Sequence, residues 1–256
     1  MTVTNSPELW LSHFPIPAVD GHKYNRGHLA VLGAPALTGA TRLAASAASR
    51  IGAGLVSVLS HDQVDVFRAS LPPDIMVTSG PANDLKRLTA CLLGPGGYEA
   101  SRVEELRAIT SEAPKVLDAD GLALWDQIPY PAILTPHEGE FSRTFPDLVG
   151  SRIDRASKAA TRTQAVVVLK GPDTVIASPD SRVVVNTHAS PWLAKAGTGD
   201  VLAGFSVGLL AQGMPAFESA CAAVWMHGDC GRHVGPGLIA GDLVDQVPAI
   251  LSDLLS

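Results

Sequence analysis

The chain has 256 residues, of which 46% are hydrophobic and 17% charged, so it can bury a sizeable core. Its formal net charge is −6 and it contains no basic run, which argues against nucleic acid or an anionic membrane as a partner. No uncharged stretch reaches the roughly 18 residues of a membrane helix, and the first residues lack the pattern of a signal peptide. Three cysteines, Cys91, Cys221 and Cys230, follow no metal or redox spacing, which favours a cytoplasmic protein with free thiols.

Residues 1–26 combine scattered prolines with polar residues, and we expect a leader that packs on the surface of one domain spanning residues 27–256. The domain begins with a predicted strand at 28–32 (HLAVL), a helix that two glycines end, and a second strand at 55–60 (LVSVLS). Strand, helix and strand in so short a span form a βαβ unit, which predicts that the two strands are parallel.

The same alternation continues along the chain. Further strands running into loops are predicted at 90–97, 115–121, 132–140 and 165–171, with helices at 99–110 and 151–163, a hairpin at 174–186 turning at Pro179–Ser181, and mostly helix from Asp200 onward. Helices that alternate with near-continuous apolar strands predict an α/β fold with a mostly parallel central sheet and helices on both faces.

Polar residues and glycines collect where five of the predicted strands end. In chain order they are Gly33 with Thr38, Gly39 and Ala40; Gly94, Gly96 and Gly97; Asp118 and Asp120; Thr135, His137 and Glu140; and Lys170 with Gly171. Ligands bind at the carboxyl ends of parallel strands, so we expect these groups to line one site. Asp118 and Asp120 are expected on the same side of an extended segment, because side chains alternate along a strand.

Each of these groups also has a structural interpretation. Glycines after strands usually make tight turns. Asp120 is as well suited to cap a helix as to catalyse, and His137 can cap a helix or pair with Glu138 or Glu140. Lys170, at the end of an apolar strand, either reaches solvent or holds a phosphate. The residues alone leave these alternatives open.

The stretch at 195–204, KAGTGDVLAG, places small residues before a predicted helix. Backbone N–H groups at 196–199 can face a ligand without obstruction, and the helix N-terminus adds a positive field, which together predict an anion site. Asp200 is either the N-cap of this helix or a base that takes a proton during phosphoryl transfer. No Gly-Lys-Ser/Thr follows, so the loop is not a Walker A sequence.

GTGDVLAG resembles the C-terminal anion-hole motif of the ribokinase-like superfamily. Seven segments follow a family order across most of residues 22–240: HKYNRGH, LTGATRLAASAASRIGAGLVSV, LGPGG, VLDADGL, LTPHEGE, VVVLKGPDTVIA and AGTGDVLAGFSVGLLAQG. With these segments the chain resembles the NAD(P)H-hydrate dehydratases, whose domain is of the carbohydrate kinase type.

The resemblance implies a ribokinase-like three-layer α/β/α sandwich and a hydro-lyase activity. This family uses ADP, or ATP, to remove water from the S epimer of hydrated NADH or NADPH, through phosphoryl transfer to the ring hydroxyl and loss of phosphate, with Mg²⁺. It suggests a homotetramer, for which Trp10, Leu11 and Phe14 of the leader are candidate interface residues. Many relatives also carry an epimerase domain, which this chain is too short to hold, so we expect a separate epimerase.

Carried onto this sequence, the resemblance assigns roles to individual residues. Asp200 is expected to be the base and to contact the substrate. The rest of the hydrate pocket is expected to comprise Ala40, Gly96, Gly97 and His137, with the histidine away from the nucleotide loop. Nucleotide binding is expected at Lys170, Gly171, Pro172, Asp173, Thr174, Gly197 and Gly199. Glu140 matches the glutamate that helps to organise magnesium.

Three departures from the family pattern fall near the expected site. Tyr98 replaces a glycine, Trp192 can narrow the pocket or stack on a base, and Lys195 adds positive charge beside the phosphates. Two alternatives stay open: a vitamin-precursor kinase of the same superfamily, and a nucleotide-binding module without catalysis. His137 favours the dehydratase, since such kinases tend to carry asparagine there, and Asp200 argues against the inactive module. The choice between ADP and ATP, and between the two hydrates, is not settled by the sequence.

Overall fold

One ten-stranded sheet runs through the part of the chain that the computed structural model describes, residues 3–79, 85, 87–98 and 113–256. Its strands are β1 (Val3–Thr4), β2 (His28–Leu32), β3 (Leu55–Leu59), β4 (Met76–Thr78), β5 (Ala90–Leu93), β6 (Lys115–Leu117), β7 (Pro131–Leu134), β8 (Val166–Leu169), β9 (Thr174–Ala177) and β10 (Val183–Asn186). They lie in the order β1-β10-β9-β8-β7-β6-β5-β2-β3-β4. Every neighbouring pair is parallel except the two that include β9, so the predicted, mostly parallel sheet is confirmed.

Seven α-helices of the described residues pack on the two faces of this sheet. They are α1 (Thr38–Arg50), α2 (Val64–Ser70), α3 (Glu138–Thr144), α4 (Arg152–Thr163), α5 (Thr198–Ala211), α6 (Ala216–Val234) and α7 (Ala240–Leu255). Helices α1, α2, α5, α6 and α7 share one hydrophobic core with the sheet, and α3 and α4 share the other. The predicted ribokinase-like three-layer sandwich is therefore confirmed.

Strand β2 shows why the apolar runs are continuous. Leu29 and Val31 belong to the first core, whereas Ala30 and Leu32, which alternate with them, belong to the second. A strand covered on both faces has no solvated side, so polar residues do not alternate with apolar ones. Helix α5 is buried on almost all sides for the same reason, because it lies under other helices as well as on the sheet.

Helix α5 packs closely on α1, and this contact positions Asp200. A Cβ atom on Gly204 would overlap the carbonyl oxygen of Ala44, and the next close approach is that of Gly208 to Ala48. Glycine at these two positions lets the helix backbones meet. The two helices run in the same direction with this register, so one turn earlier the alignment places Asp200 opposite Ala40.

The N-terminal segment is more deeply built into the fold than a surface leader. Strand β1 extends the sheet beyond β10, and the side chain of Trp10 is fully buried against Phe14 and Trp225. The expectation that Trp10 and Phe14 are available for a subunit interface is therefore wrong, because both fill the core of their own chain.

The remaining elements divide into three groups when the structure is compared with the sequence analysis. The βαβ unit is confirmed, since β2 and β3 pair in parallel, and so is the hairpin of β9 and β10. Helix α2 and strand β4 were not predicted. The helix predicted at 99–110 lies outside the described residues. No helix in the described part of the chain is long and apolar enough to cross a membrane.

Candidate active site

The five strands whose ends carry the predicted site residues are neighbours in the sheet, in the order β8, β7, β6, β5 and β2. All of these strands run in the same direction. Their carboxyl ends therefore meet at one edge, which brings the glycine loops after β2 and β5 next to the polar groups that follow β6, β7 and β8.

Lys170, at the end of β8, is the centre of an ion-pair cluster. Its Nζ atom donates a hydrogen bond to Asp118 Oδ1 at 2.9 Å and lies 3.7 Å from Glu140 Oε2. Thr135 Oγ1 donates to the same Asp118 oxygen at 2.7 Å. Burial alone would lower the pKa of Lys170, but attraction to Asp118, Glu140 and Asp200 outweighs it and raises the pKa. The ammonium group therefore stays charged, with carboxylates around it rather than open solvent.

Asp200 is not the N-cap of α5. The N-cap is Gly197, at a φ of 92° that favours glycine, and Asp200 is the third residue of the helix. Its carboxylate makes no hydrogen bond within the described residues. Burial, and then the nearby Asp118 charge, raise the pKa of Asp200 to about 6, although Lys170 opposes this shift. The capping interpretation is therefore wrong, and the side chain is a carboxylate that can exchange a proton near neutral pH.

His137 is the N-cap of α3, so the interpretation of this residue as a helix cap is correct. Its Nδ1 atom accepts hydrogen bonds from the backbone N–H groups of Gly139 and Glu140 at 3.0 and 3.2 Å. Glu140 Oε2 accepts in return from the backbone N–H of His137 at 2.7 Å, which completes a capping box. The imidazole side chain is still 56% exposed, and it lines a cleft beside Lys170.

That cleft, of about 780 Å³, opens between the loop after β8, residues 186–195 and the first turn of α5. Its volume is typical of small-molecule sites. Most of the residues expected to bind nucleotide line it, namely Lys170, Gly171, Pro172, Thr174 and Gly199; Asp173 and Gly197 do not. Leu202 and Val224 add apolar surface of the kind that suits a nucleobase. We call it the nucleotide cleft.

Arg152, on α4, shapes the loop after β8 and was not predicted. Its Nη2 atom donates to the carbonyl oxygens of Leu169 and Lys170 at 2.9 and 3.1 Å, and Nη1 donates to Glu138 Oε2 at 3.0 Å. Gly171 lies against the same guanidinium group. A lysine could not make these divergent bonds. Nothing in the local sequence indicates the role, since the partners are about 18 residues away.

His227, on α6, was also missed by the sequence analysis. It is buried at the wall of the nucleotide cleft, and its Nε2 atom is 2.8 Å from the carbonyl oxygen of Thr198. Burial lowers the pKa of His227 to about 4, so the ring is neutral and donates this hydrogen bond. The contact ties α6 to the first turn of α5, which carries Asp200.

The other predicted substrate residues form a second group, after β2 and β5. A Cβ atom placed on Gly96 would lie 3.2 Å from Ala40 Cβ, so the two residues are neighbours. Thr41 joins the loops: it accepts from the backbone N–H of Ala34 at 2.9 Å and donates to the carbonyl oxygen of Pro95 at 3.3 Å. We call Ala40, Gly96 and Gly97 the hydrate group.

Two expectations about side-chain placement are wrong. Asp118 is buried but Asp120 is exposed, because Ala119 turns the chain at a φ of 48° and a 3₁₀ helix, Ala119–Leu124, begins there. His137 does not stand apart from the nucleotide loop. The backbones of His137 and Lys170 form a parallel β-bridge. In the sheet, His137 therefore lies between the nucleotide loop and the hydrate group.

The three residues that depart from the family pattern lie at different positions relative to the nucleotide cleft. Tyr98 packs against the second hydrophobic core. Trp192 is 49% exposed and does not line the nucleotide cleft, so it does not narrow it. Lys195 does line the cleft, and its ammonium group has no ion pair among the residues that the structure describes. Of the three, only Lys195 adds a functional group to the cleft.

The comparisons with known proteins agree with one another. A family model described as NAD(P)H-hydrate dehydratase matches residues 29–247. The ADP-dependent (S)-NAD(P)H-hydrate dehydratase of Neisseria meningitidis serogroup B is 34% identical over 256 residues, covering 90% of this chain and 86% of that protein. The bifunctional NAD(P)H-hydrate repair enzyme Nnr of Salinibacter ruber is 36% identical over 275 residues, covering 94% and 51%. The crystal structure of the ADP/ATP-dependent NAD(P)H-hydrate dehydratase of Bacillus subtilis, co-crystallized with ATP/Mg²⁺, superposes with a TM-score of 0.86 at 30% identity over 99% of each chain.

The chain spans about half the length of the bifunctional relatives that it matches, 51% of the Salinibacter protein. The family model nevertheless covers most of the chain, including the strand ends, the nucleotide cleft and Asp200. The chain therefore belongs to the NAD(P)H-hydrate dehydratase family.

Proposed function

We propose that this protein removes water from the S epimer of hydrated NADH or NADPH, with ADP or ATP as the phosphoryl donor. The observation that carries the proposal is the place of Asp200. Its pKa of about 6 suits a base at neutral pH. Asp200 lies in the first turn of α5, directly after Gly199 of the nucleotide cleft, and the register of α5 against α1 directs this turn towards Ala40. A carboxylate with that pKa between two binding regions is what phosphoryl transfer to a substrate hydroxyl requires.

The chemistry explains why a dehydratase has the site of a kinase. The hydroxyl of the hydrated ring is a poor leaving group. Asp200 accepts the proton of this hydroxyl while the hydroxyl oxygen bonds to the terminal phosphorus of the nucleotide. The bond from that phosphorus to the bridging oxygen of the nucleotide breaks at the same time. The ring nitrogen then expels phosphate, a proton leaves the adjacent carbon, and the double bond returns. With ADP the other products are AMP and phosphate.

The charges around Lys170 indicate which groups are free to bind the nucleotide phosphates. Because Asp118 and Glu140 already balance the charge of Lys170, its ammonium group orients the site more than it neutralises an incoming nucleotide. The backbone N–H groups at the start of α5 receive the phosphoryl oxygens, as helix N-termini do. Lys195 is the cation that lines the cleft without an ion pair among the described residues, so it is suited to the nucleotide phosphates.

Magnesium is compatible with these residues as an ion carried by the nucleotide. No group of three or more His, Cys, Asp or Glu in the described residues is placed to hold a metal by itself. Mg²⁺ is usually held by one or two carboxylates together with substrate phosphates and water, and Asp118 and Glu140 offer such oxygens. Bound in this way, the ion would neutralise charge on the transferred phosphoryl group. Glu140 as the magnesium residue remains part of this proposal.

The proposal is tested by mixing the protein with hydrated NADH, ADP and magnesium and measuring the return of NADH absorbance at about 340 nm. We expect one AMP and one phosphate for each NADH formed. A vitamin-precursor kinase would instead phosphorylate an alcohol with ATP and give no recovery, and an inactive module would bind ADP without turnover. Failure of hydrated NADH and NADPH to react with either nucleotide would overturn the proposal.

The proposal also covers a partner activity, the cellular compartment and the oligomeric state. Because the proposed reaction uses only the S epimer, repair of the other epimer needs an epimerase activity that converts it to the S form, and the bifunctional names of relatives are consistent with such a pairing. We propose a cytoplasmic homotetramer; the three buried free thiols are consistent with a reducing compartment. Sedimentation at micromolar concentration tests the tetramer.

A further inference from the structure

A second cavity, of about 640 Å³, lies along α1, between this helix, the segment that links α2 to β4, and α7. Helix α1 contributes Gly39, Arg42, Ser46 and Arg50, whose spacings of three and four residues place them on one face. Two aspartates, further serines and several apolar residues, among them Leu43, Ile75 and Val244, complete the lining. We call this cavity the α1 groove. The mechanism proposed above uses none of its side chains.

Arg42 is the unsatisfied residue of the α1 groove. Its Nε atom is buried without a hydrogen-bond partner, and its guanidinium group makes no hydrogen bond or ion pair within the described residues. The two aspartates are engaged elsewhere: Asp74 accepts from Ser49 at 2.9 Å, and Asp245 lies 3.9 Å from Arg50. A partly buried cation with no acceptor costs free energy, which an anionic ligand would recover.

The position of Arg42 indicates which ligand this is. The α1 groove starts at Gly39, next to Ala40 of the hydrate group, and follows α1 for about 18 Å. Arg42 lies near the end that adjoins the hydrate group, whereas the engaged aspartates lie near the far end. The groove thus presents an unpaired positive charge first, and hydroxyl and carboxylate groups beyond it.

A hydrated dinucleotide needs such a surface. Its reacting ring occupies the hydrate group, and its pyrophosphate and adenosine must extend away from Asp200. The nucleotide cleft is assigned to the phosphoryl donor, so they cannot lie there. We propose that the α1 groove binds the adenosine monophosphate half of the hydrated dinucleotide, with the Arg42 guanidinium bonded to the phosphate of that half. This inference rests on the proposed function and names a specificity residue for the same reaction.

Steady-state kinetics of Arg42→Gln test the proposal. We expect KM for hydrated NADH to rise about 10- to 100-fold with little change in kcat, the loss typical of a charge-assisted hydrogen bond to substrate. Hydrated reduced nicotinamide mononucleotide lacks the adenosine monophosphate half, so its KM should be the same for both proteins. Arg68→Gln is the matched control, because Arg68 is exposed on α2 outside the groove. The KM of Arg42→Lys for hydrated NADH should lie between those of the wild type and Arg42→Gln.

Direct binding separates this inference from the proposed function. With the nucleotide cleft filled by a non-hydrolysable ATP analogue, ADP-ribose should bind the wild-type protein and bind Arg42→Gln at least tenfold more weakly by calorimetry. This readout needs no turnover, so it tests the groove even if hydrated NADH does not react. Equal ADP-ribose affinity would overturn the inference. So would an equal KM increase with the truncated substrate, or a change of oligomeric state in Arg42→Gln, which would make the groove a subunit contact.

Discussion

Replacement of Asp200 by asparagine should stabilise the protein while it abolishes turnover. Burial and the Asp118 carboxylate raise the pKa of Asp200 from its ordinary value of 3.8 to about 6. A carboxyl group with a raised pKa holds its proton more tightly in the folded state. Its contribution therefore favours folding fully below pH 3.8 and is lost as the pH rises through 6. Each pKa unit is worth about 1.4 kcal/mol, so the ionised carboxylate costs about 3 kcal/mol at pH 7.5.

Asparagine removes this cost but also removes an acidic side chain from the first turn of α5. The favourable interaction of that charge with the helix N-terminus is worth only about 0.3–1 kcal/mol, so the pKa effect is larger. We expect a net gain of about 2 kcal/mol at pH 7.5, which corresponds to a rise in Tm of about 4–8 °C for a chain of this size. At pH 5 wild-type Asp200 is mostly protonated when folded, and the gain should shrink to about half.

Thermal unfolding at pH 7.5 and pH 5, ADP calorimetry and turnover of hydrated NADH measure the three consequences. The variant should bind ADP at least as tightly as the wild type, and kcat should fall by roughly two to four orders of magnitude. Wild-type kcat/KM should decline as the pH falls through about 6, because the base becomes protonated. Asp65→Asn is the control, since Asp65 is also in the first turn of a helix but is fully exposed. No gain in Tm at pH 7.5 would refute the stability argument, and near-normal turnover would refute the assignment of the base.

Three further substitutions test the rest of the site. Lys170→Ala removes the ammonium group that two buried carboxylates share, so the free energy of unfolding should fall by about 3–5 kcal/mol in denaturant titrations, and an unchanged value would contradict the ion-pair cluster. His137→Asn keeps an acceptor for the N-cap of α3 and should change the free energy of unfolding by less than about 0.5 kcal/mol, while turnover falls more than ADP affinity; equal losses would make the ring purely structural. Lys195→Thr should weaken ADP binding about three- to tenfold at low salt, with less effect at high salt and no change in Tm; salt-independent ADP affinity in both proteins would exclude a phosphate contact.

Fold class could be predicted from the sequence because the pattern of apolar residues reflects burial directly. Strands such as β2 and β8 are continuously apolar because helices cover both faces of the sheet, and the helices between them have apolar faces at helical spacing. Strand β4 escaped prediction because it is short, lies at the sheet edge and is only partly buried. An edge strand of three residues leaves little pattern to detect.

The candidate site was predictable in outline for a related reason. In a parallel sheet, residues that follow strands must meet at one edge, so Asp118, His137 and Lys170 could be grouped before their contacts were known. The sequence did not show which of them pair. Lys170 and Asp118 are 52 residues apart, and their hydrogen bond depends on β6 and β8 flanking β7 in the sheet.

The sequence by itself determined the alternation of most strands and helices, the glycine-rich start of α5 and the membership in a family of known fold. Only the tertiary structure decided that Asp200 is a partly buried carboxylate with a raised pKa rather than the N-cap of α5, that Trp10 lies in the core, and that Arg152 holds the loop after β8. The physical reason is the same in each case. Local patterns record whether a residue faces a core, a solvent-exposed surface or a turn, whereas a raised pKa or a buried ion pair depends on residues from distant parts of the chain that meet only when the sheet and helices assemble.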